Sequence, residues 1–162
     1  MRPAALSEGL GGLCGGLCEE AMRDDTIISP TGKGMRNDRQ GLGHYRAPRG
    51  GRWHDGCDFL CEPGQAVAAP ISGKVARLAR PYASGSYEGL EIEGRRMAVT
   101  LFYVKPKPGV MGRFVEKGEA VGTAQDIAAR YGGGMLPHVH LRITSADPCL
   151  FLEAGGNPRG EA

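Results

Sequence analysis

EPGQAVAAPISGKV, residues 62–75, sets a Pro-Gly turn, a short apolar run, a second turn at Ser72–Gly73 and the start of another run close together. Turn residues at such intervals around Val, Ile and Ala read as short strands, not as helix. FVEKGEAVGTA, residues 114–124, repeats the rhythm, with VxKGExVGxA answering xAVxAPxxGxV. Each half reads as a tight turn feeding a strand and then another turn. Two similar halves suit a compact, barrel-like sandwich. Working outward, the pattern predicts strands over Cys57–Leu60, Ala66–Ala69, Gly73–Ala79, Gly89–Glu93, Met97–Tyr103, Ala120–Ala124 and Val139–Thr144. DIAARY, residues 126–131, reads as one or two helical turns, capped by Asp126 and ended by Gly132–Gly134. No stretch sustains helical periodicity, so the fold class is mainly β. Biotinyl and lipoyl carrier domains use a related rhythm, but no lysine stands at the expected hairpin tip.

The chain has 162 residues and a net charge of +2. That length suits one domain over 37–152, preceded by a Gly-rich extension over 1–36 and followed by a tail over 153–162. The charge is too small, and the basic residues too scattered, to point to nucleic acid or an anionic membrane. No apolar run approaches the roughly 20 residues of a membrane span. The opening MRPAALSEGLGGLCGGLCEEAMRDD resembles a secretory signal only faintly, because Ser7, Glu8 and several glycines interrupt it, and localisation stays unassigned. The five cysteines cannot all pair within one chain. Cys57 and Cys61, on the order of 13 Å apart in an extended strand, are expected as free thiols.

LPHVHLRI, residues 136–143, carries the chemistry. Side chains at i and i+2 of a strand share a face, so His138 and His140 project together while Val139 and Leu141 turn into a core. Upstream, RWHDGCD sets His54 and Asp58 four apart with Gly56 between. A turn at Asp55–Gly56 would fold His54 back toward Asp58, a bend glycine tolerates. His54, Asp58 and one histidine of the pair form a His2Asp set that leaves a fourth tetrahedral position for water, the arrangement of catalytic zinc. The remaining histidine would serve as a base beside it.

HDGCD, GQAVAAPISGKV, VEKGEAVGTA and LPHVHLRI together resemble the lysostaphin/LytM-type zinc metallopeptidases, which cleave peptide cross-links of peptidoglycan. The resemblance implies their β fold, a compact antiparallel sandwich or open barrel with short helical turns. It implies one zinc ion on His54, Asp58 and His140 plus water, and His138 as a catalytic histidine. The segment from Asp38 to about Leu152 is similar to an animal branch of that fold, the leukocyte cell-derived chemotaxins, regarded as binding proteins. Two departures follow. Lys105, behind Tyr103 in LFYVKP, stands where active members carry a second catalytic histidine. Asn37, Leu42 and Ala98 stand where the chemotaxins have cysteine, and only Cys61 matches. Tyr103 or Lys105 is then the expected oxyanion donor, with His44 structural or groove-lining and Trp53 packed on the ligand loop. The implied function is hydrolysis of a peptide bond in peptidoglycan or a similar peptide. The alternative is a catalytically impaired module that binds cell-wall peptide or a protein partner.

Overall fold

The computed structural model describes residues 26–152. Residues 1–25, which include Cys14 and Cys18 of GGLCGGLC, and the expected tail lie outside them. Among the described residues, eleven strands build three antiparallel sheets that do not close into a barrel. Strands β3 (Cys57–Leu60), β5 (Gly73–Ala79), β6 (Gly89–Glu93), β7 (Met97–Phe102), β9 (Phe114–Val115) and β11 (His138–Ala146) form a six-stranded sheet, ordered β3-β11-β7-β6-β5-β9. A second sheet has the order β4-β10-β8, from Ala66–Ala68, Ala120–Ala124 and Val104–Pro106. β1 (Asn37–Asp38) and β2 (Gly41–Leu42) make a small ribbon.

The two half-motifs meet in the second sheet, where β4 and β10 pair with Val67 opposite Gly122 and Ala66 opposite Thr123. A Cβ on Gly122 would strike the Lys105 carbonyl, so only glycine lets β8 and β10 approach this closely. Each half also supplies the larger sheet, since β5 pairs with β9. Val67, Ile71, Val75, Val104 and Val121 are buried with Leu90, Ile92, Val99, Leu101 and Val139 in one core. Fully burying a Leu or Ile stabilises by about 1.5–3 kcal/mol, and this shared apolar layer holds the two sheets together.

Register decides what the other face of the large sheet carries. His140 lies opposite Asp58 on β3 and opposite Phe102 on β7, which in turn faces Gly89 on β6. Arg142 lies opposite Thr100, which faces Glu91. Val139 and Leu141 therefore point into the core, at 0% and 5% exposure, while His138 and His140 share the outer face with Asp58. On that face Arg77 donates to both Glu91 oxygens, and Thr100 links Glu91 to Thr144.

Two expected boundaries need moving, and the expected helical turn forms. The packed chain begins before residue 37: Ile27 packs on the core, Leu60 N donates to the Gly34 carbonyl, and Arg36 N donates to the Asp58 carbonyl. Unpaired backbone on the edge strand β3 is what this segment satisfies. The strand expected over Met97–Tyr103 ends at Phe102, because Tyr103 has φ 65° and redirects the chain from the large sheet into β8. The short helix α1 spans Ala128–Tyr131, with Asp126 accepting from Ala129 N and Gly132 at its C-terminus.

Candidate metal centre

Asp58 and His140 are cross-strand partners, so the sheet itself brings a carboxylate and an imidazole within reach. His138, two residues along β11, joins them on that face. His54 arrives from the loop before β3. Its Nε2 lies 3.1 Å from Asp58 Oδ1 and 3.0 Å from His140 Nδ1, and His140 Nδ1 lies 2.9 Å from Asp58 Oδ1. All three residues are buried.

Gly56 makes this convergence possible, for a different reason from the one the sequence suggested. Its φ is not in the left-handed region. Instead, a Cβ there would run into the Leu141 carbonyl and meet the His140 ring at 2.9 Å. The bend needs the missing side chain, not glycine's extra backbone freedom.

The surroundings fix which atoms face inward. His54 Nδ1 donates to the His44 carbonyl at 2.8 Å, and His140 Nε2 sits 3.2 Å from Asp55 Oδ1. With the outer ring nitrogens held by oxygens, two imidazole lone pairs and one carboxylate oxygen converge. Acceptors about 3 Å apart repel unless a cation or a proton lies among them. Ligand atoms around tetrahedral zinc at about 2.0–2.1 Å stand roughly 3.3 Å from one another, so the nitrogen and oxygen donors fit that ion after a small outward adjustment. Burial alone would raise the Asp58 pKa. With no ion in place, a proton on the inner nitrogen of His140 or His54 would be donated to Oδ1, and this outweighs burial and holds the carboxyl well below the usual carboxylate range.

Asp58 also has an outer side. Arg36 donates to Oδ2 through Nε at 3.2 Å and Nη2 at 3.1 Å, and Arg49 Nη2 donates to the same oxygen at 3.1 Å. Two guanidinium groups thereby reserve Oδ2 and leave Oδ1 for the centre. Arg36 is held in turn by Asp38 at 2.7 Å. Neither arginine was legible as part of the site, because each lies in irregular chain with no periodic signal. Asp55 stood inside the quoted HDGCD and could have been found as a partner for a ligand ring.

His138 is placed as expected, with Nε2 3.8 Å from Asp58 Oδ1 and Nδ1 donating to the Leu136 carbonyl at 2.8 Å. Burial lowers its pKa despite the opposing pull of Asp58, which favours the neutral ring. Tyr103 packs edge-on to His138 at 5.5 Å between centroids, and its hydroxyl meets Tyr82 at 3.2 Å. Burial raises the Tyr103 pKa and keeps that hydroxyl a donor.

Lys105 is not brought to the centre. It is exposed on β8 and does not line the cleft above the cluster, because the turn at Tyr103 breaks the alternation that would have put 103 and 105 on one face. His44 contributes its carbonyl and not its ring. Trp53 does not bury itself on the ligand loop; it is 62% exposed and lines the cleft, with Arg46 5.7 Å above its ring.

Comparison with solved structures identifies the fold. The chain is similar to a putative peptidase M23 from Pseudomonas aeruginosa, with a TM-score of 0.53 and 17% identity over 84% of this chain and 58% of that one. It is also similar to lysostaphin from Staphylococcus simulans, with a TM-score of 0.51 and 23% identity over 85% of this chain and 58% of that one. The fold is that of the lysostaphin and M23 peptidase domains. Among curated relatives, leukocyte cell-derived chemotaxin-2 of Mus musculus is 36% identical over 118 residues, covering 71% of this chain and 76% of that protein. The Bos taurus protein is 32% identical over 118 residues, with the same coverage. The chain belongs to the leukocyte cell-derived chemotaxin-2 family. No family model matches it.

Proposed function

We propose that the cleft hydrolyses a peptide bond, in peptidoglycan or a similar peptide, with one zinc ion held by His54, Asp58 and His140. The observation that carries this reading is the convergence of three inward donor atoms whose outer partners are already satisfied. A divalent ion bound there supplies Lewis acidity, polarising a carbonyl and making water easier to deprotonate. The chain's own residues supply the remainder. His138 takes a proton at Nε2, since its Nδ1–H is committed to Leu136. The Tyr103 hydroxyl donates toward the developing oxyanion, a contribution typically worth about 3 kcal/mol. Arg36 and Arg49 keep Asp58 ionised and single-pointed.

A second reading, a zinc-binding module that captures peptide without turnover, has its own support. Lys105 does not reach the cleft, so nothing from that position replaces the second histidine of the active peptidases. The experiment is incubation of the purified protein, with zinc or with chelator, on purified peptidoglycan. Chelator-sensitive release of muropeptides, lost in His138→Ala at unchanged zinc content, supports hydrolysis. Pelleting with the wall and no release sinks hydrolysis and leaves the binder. Lys105→His is expected to leave release unchanged, because position 105 faces solvent.

A further inference from the structure

The cleft over the cluster has a volume of about 510 Å³, and its charges are uneven. Among the described residues, five arginines line it, Arg36, Arg49, Arg52, Arg80 and Arg142, against two acidic residues, Asp55 and Asp58. Both carboxylates are occupied. Asp58 is held by Arg36, Arg49 and the imidazoles, and Asp55 by Arg142 at 3.3 Å and by His140. That leaves Arg52 and Arg80. Each is exposed, and neither forms an ion pair among the described residues. Arg52 comes from the loop before His54, and Arg80 from the end of β5 beside Pro81 and Tyr82. Arg52 is close enough to Tyr103 for its charge to be felt at that hydroxyl.

On a chain whose net charge is only +2, this concentration in one cleft is not a general property of the surface. A concave, positively charged site raises the local concentration of anions and steers them in. A bound divalent cation would add to the same sign. Guanidinium groups pair with carboxylates through two parallel hydrogen bonds, so each free arginine is a fitted receptor for one carboxylate.

We propose that the cleft selects acidic peptides, with carboxylates of the ligand pairing with Arg52 and Arg80 while its backbone crosses the His54–Asp58–His140 cluster. This rests on the reading of the cleft as a peptide site and adds the charge of the occupant. Carboxylates of Asp or Glu side chains and of a free C-terminus share this chemistry, and the test separates them.

Fluorescent peptides of one sequence, carrying Glu or Gln at two positions and a free or amidated C-terminus, are titrated into the zinc-loaded full chain at low and high salt. The acidic peptides are expected to bind at least tenfold tighter than the neutral one. High salt should narrow the gap, and the double variant Arg52→Gln/Arg80→Gln should close it. Zinc content and melting temperature of that variant are expected to match the parent, which excludes misfolding as the cause. Equal affinity for acidic and neutral peptides overturns the charge selection and leaves the peptide reading standing. An undiminished preference in the double variant also overturns it. Binding of a sulfated oligosaccharide but of no peptide overturns both the occupant proposed here and the peptide reading beneath it.

Discussion

Two regions meet at the candidate metal centre, and they place their residues by different physics. Asp58, His138 and His140 stand on β3 and β11, where ladder hydrogen bonds set the register and adjacent side chains follow from it. His54, Arg36 and Arg49 come from irregular chain between residues 36 and 56, where each is held by individual polar contacts. The strand half is rigid because slipping one residue would turn Val139 and Leu141 out of the core. The loop half has no such penalty and depends on carbonyls, guanidinium groups and one glycine. A centre built this way is rigid on one side and adjustable on the other.

The largest test of that contrast removes a ligand from each side. Asp58→Ala should lose zinc and about 3–5 kcal/mol of stability, because it breaks the buried pairing that Arg36 and Arg49 share on one oxygen and leaves Arg36 with Asp38 alone. His54→Ala should also lose zinc, yet cost only about 1–2 kcal/mol, since it deletes contacts without stranding a buried charge. Zinc analysis and denaturant titration measure both, and equal stability losses would erase the distinction between strand and loop.

Gly56→Ala probes the junction of the two regions. The added methyl meets the Leu141 carbonyl and the His140 ring, so about 1–3 kcal/mol of destabilisation and at least tenfold weaker zinc binding are expected. Parental zinc affinity would mean that the loop shifts freely around its glycine.

A milder change tests how the loop is tethered. Asp38 accepts from Arg36, Gln40 N and Leu136 N, joining the ribbon to the chain before β11. Burial opposes its ionisation, but the Leu136 amide and Arg36 prevail and hold its pKa below the ordinary carboxylate value. A carboxyl depressed in the folded state contributes stability above its unfolded pKa, near 3.9, and loses it as pH falls through the folded value. Asp38→Asn should therefore cost about 1 kcal/mol at neutral pH. The gap from the parent should close in acid, as followed by urea titration at several pH values.

The smallest effect expected is at His44. Only its carbonyl orients His54, so His44→Ala should change stability by less than about 0.5 kcal/mol and leave zinc content unchanged. A loss of zinc would place the imidazole itself in the site.

β3, β5, β6 and β10 fall where the alternation put them, whereas β11, expected over Val139–Thr144, runs from His138 to Ala146, and β4 stops at Ala68 rather than Ala69. β1, β2, β8 and β9 have two or three residues each, too few for periodicity to mark. That His54, Asp58 and His140 would cluster was legible because histidines and an aspartate at these spacings have few other uses on a Gly-punctuated β background. Lys105 was misjudged because strand alternation was extended through Tyr103, whose positive φ ends it. Trp53 was expected to pack, but it stands exposed in the cleft with Arg46 over its ring.

By itself, the sequence determined a mainly β chain, a pair of histidines on one strand face and a second imidazole and carboxylate upstream, since these follow from local period and turn chemistry. Only the tertiary structure decided that β3 lies against β11, that Arg36 and Arg49 close on the outer oxygen of Asp58, and that Arg52 and Arg80 form no ion pair among the described residues. Those relations join residues distant along the chain, and they depend on which strands pair and on which charges find partners once the sheets have assembled.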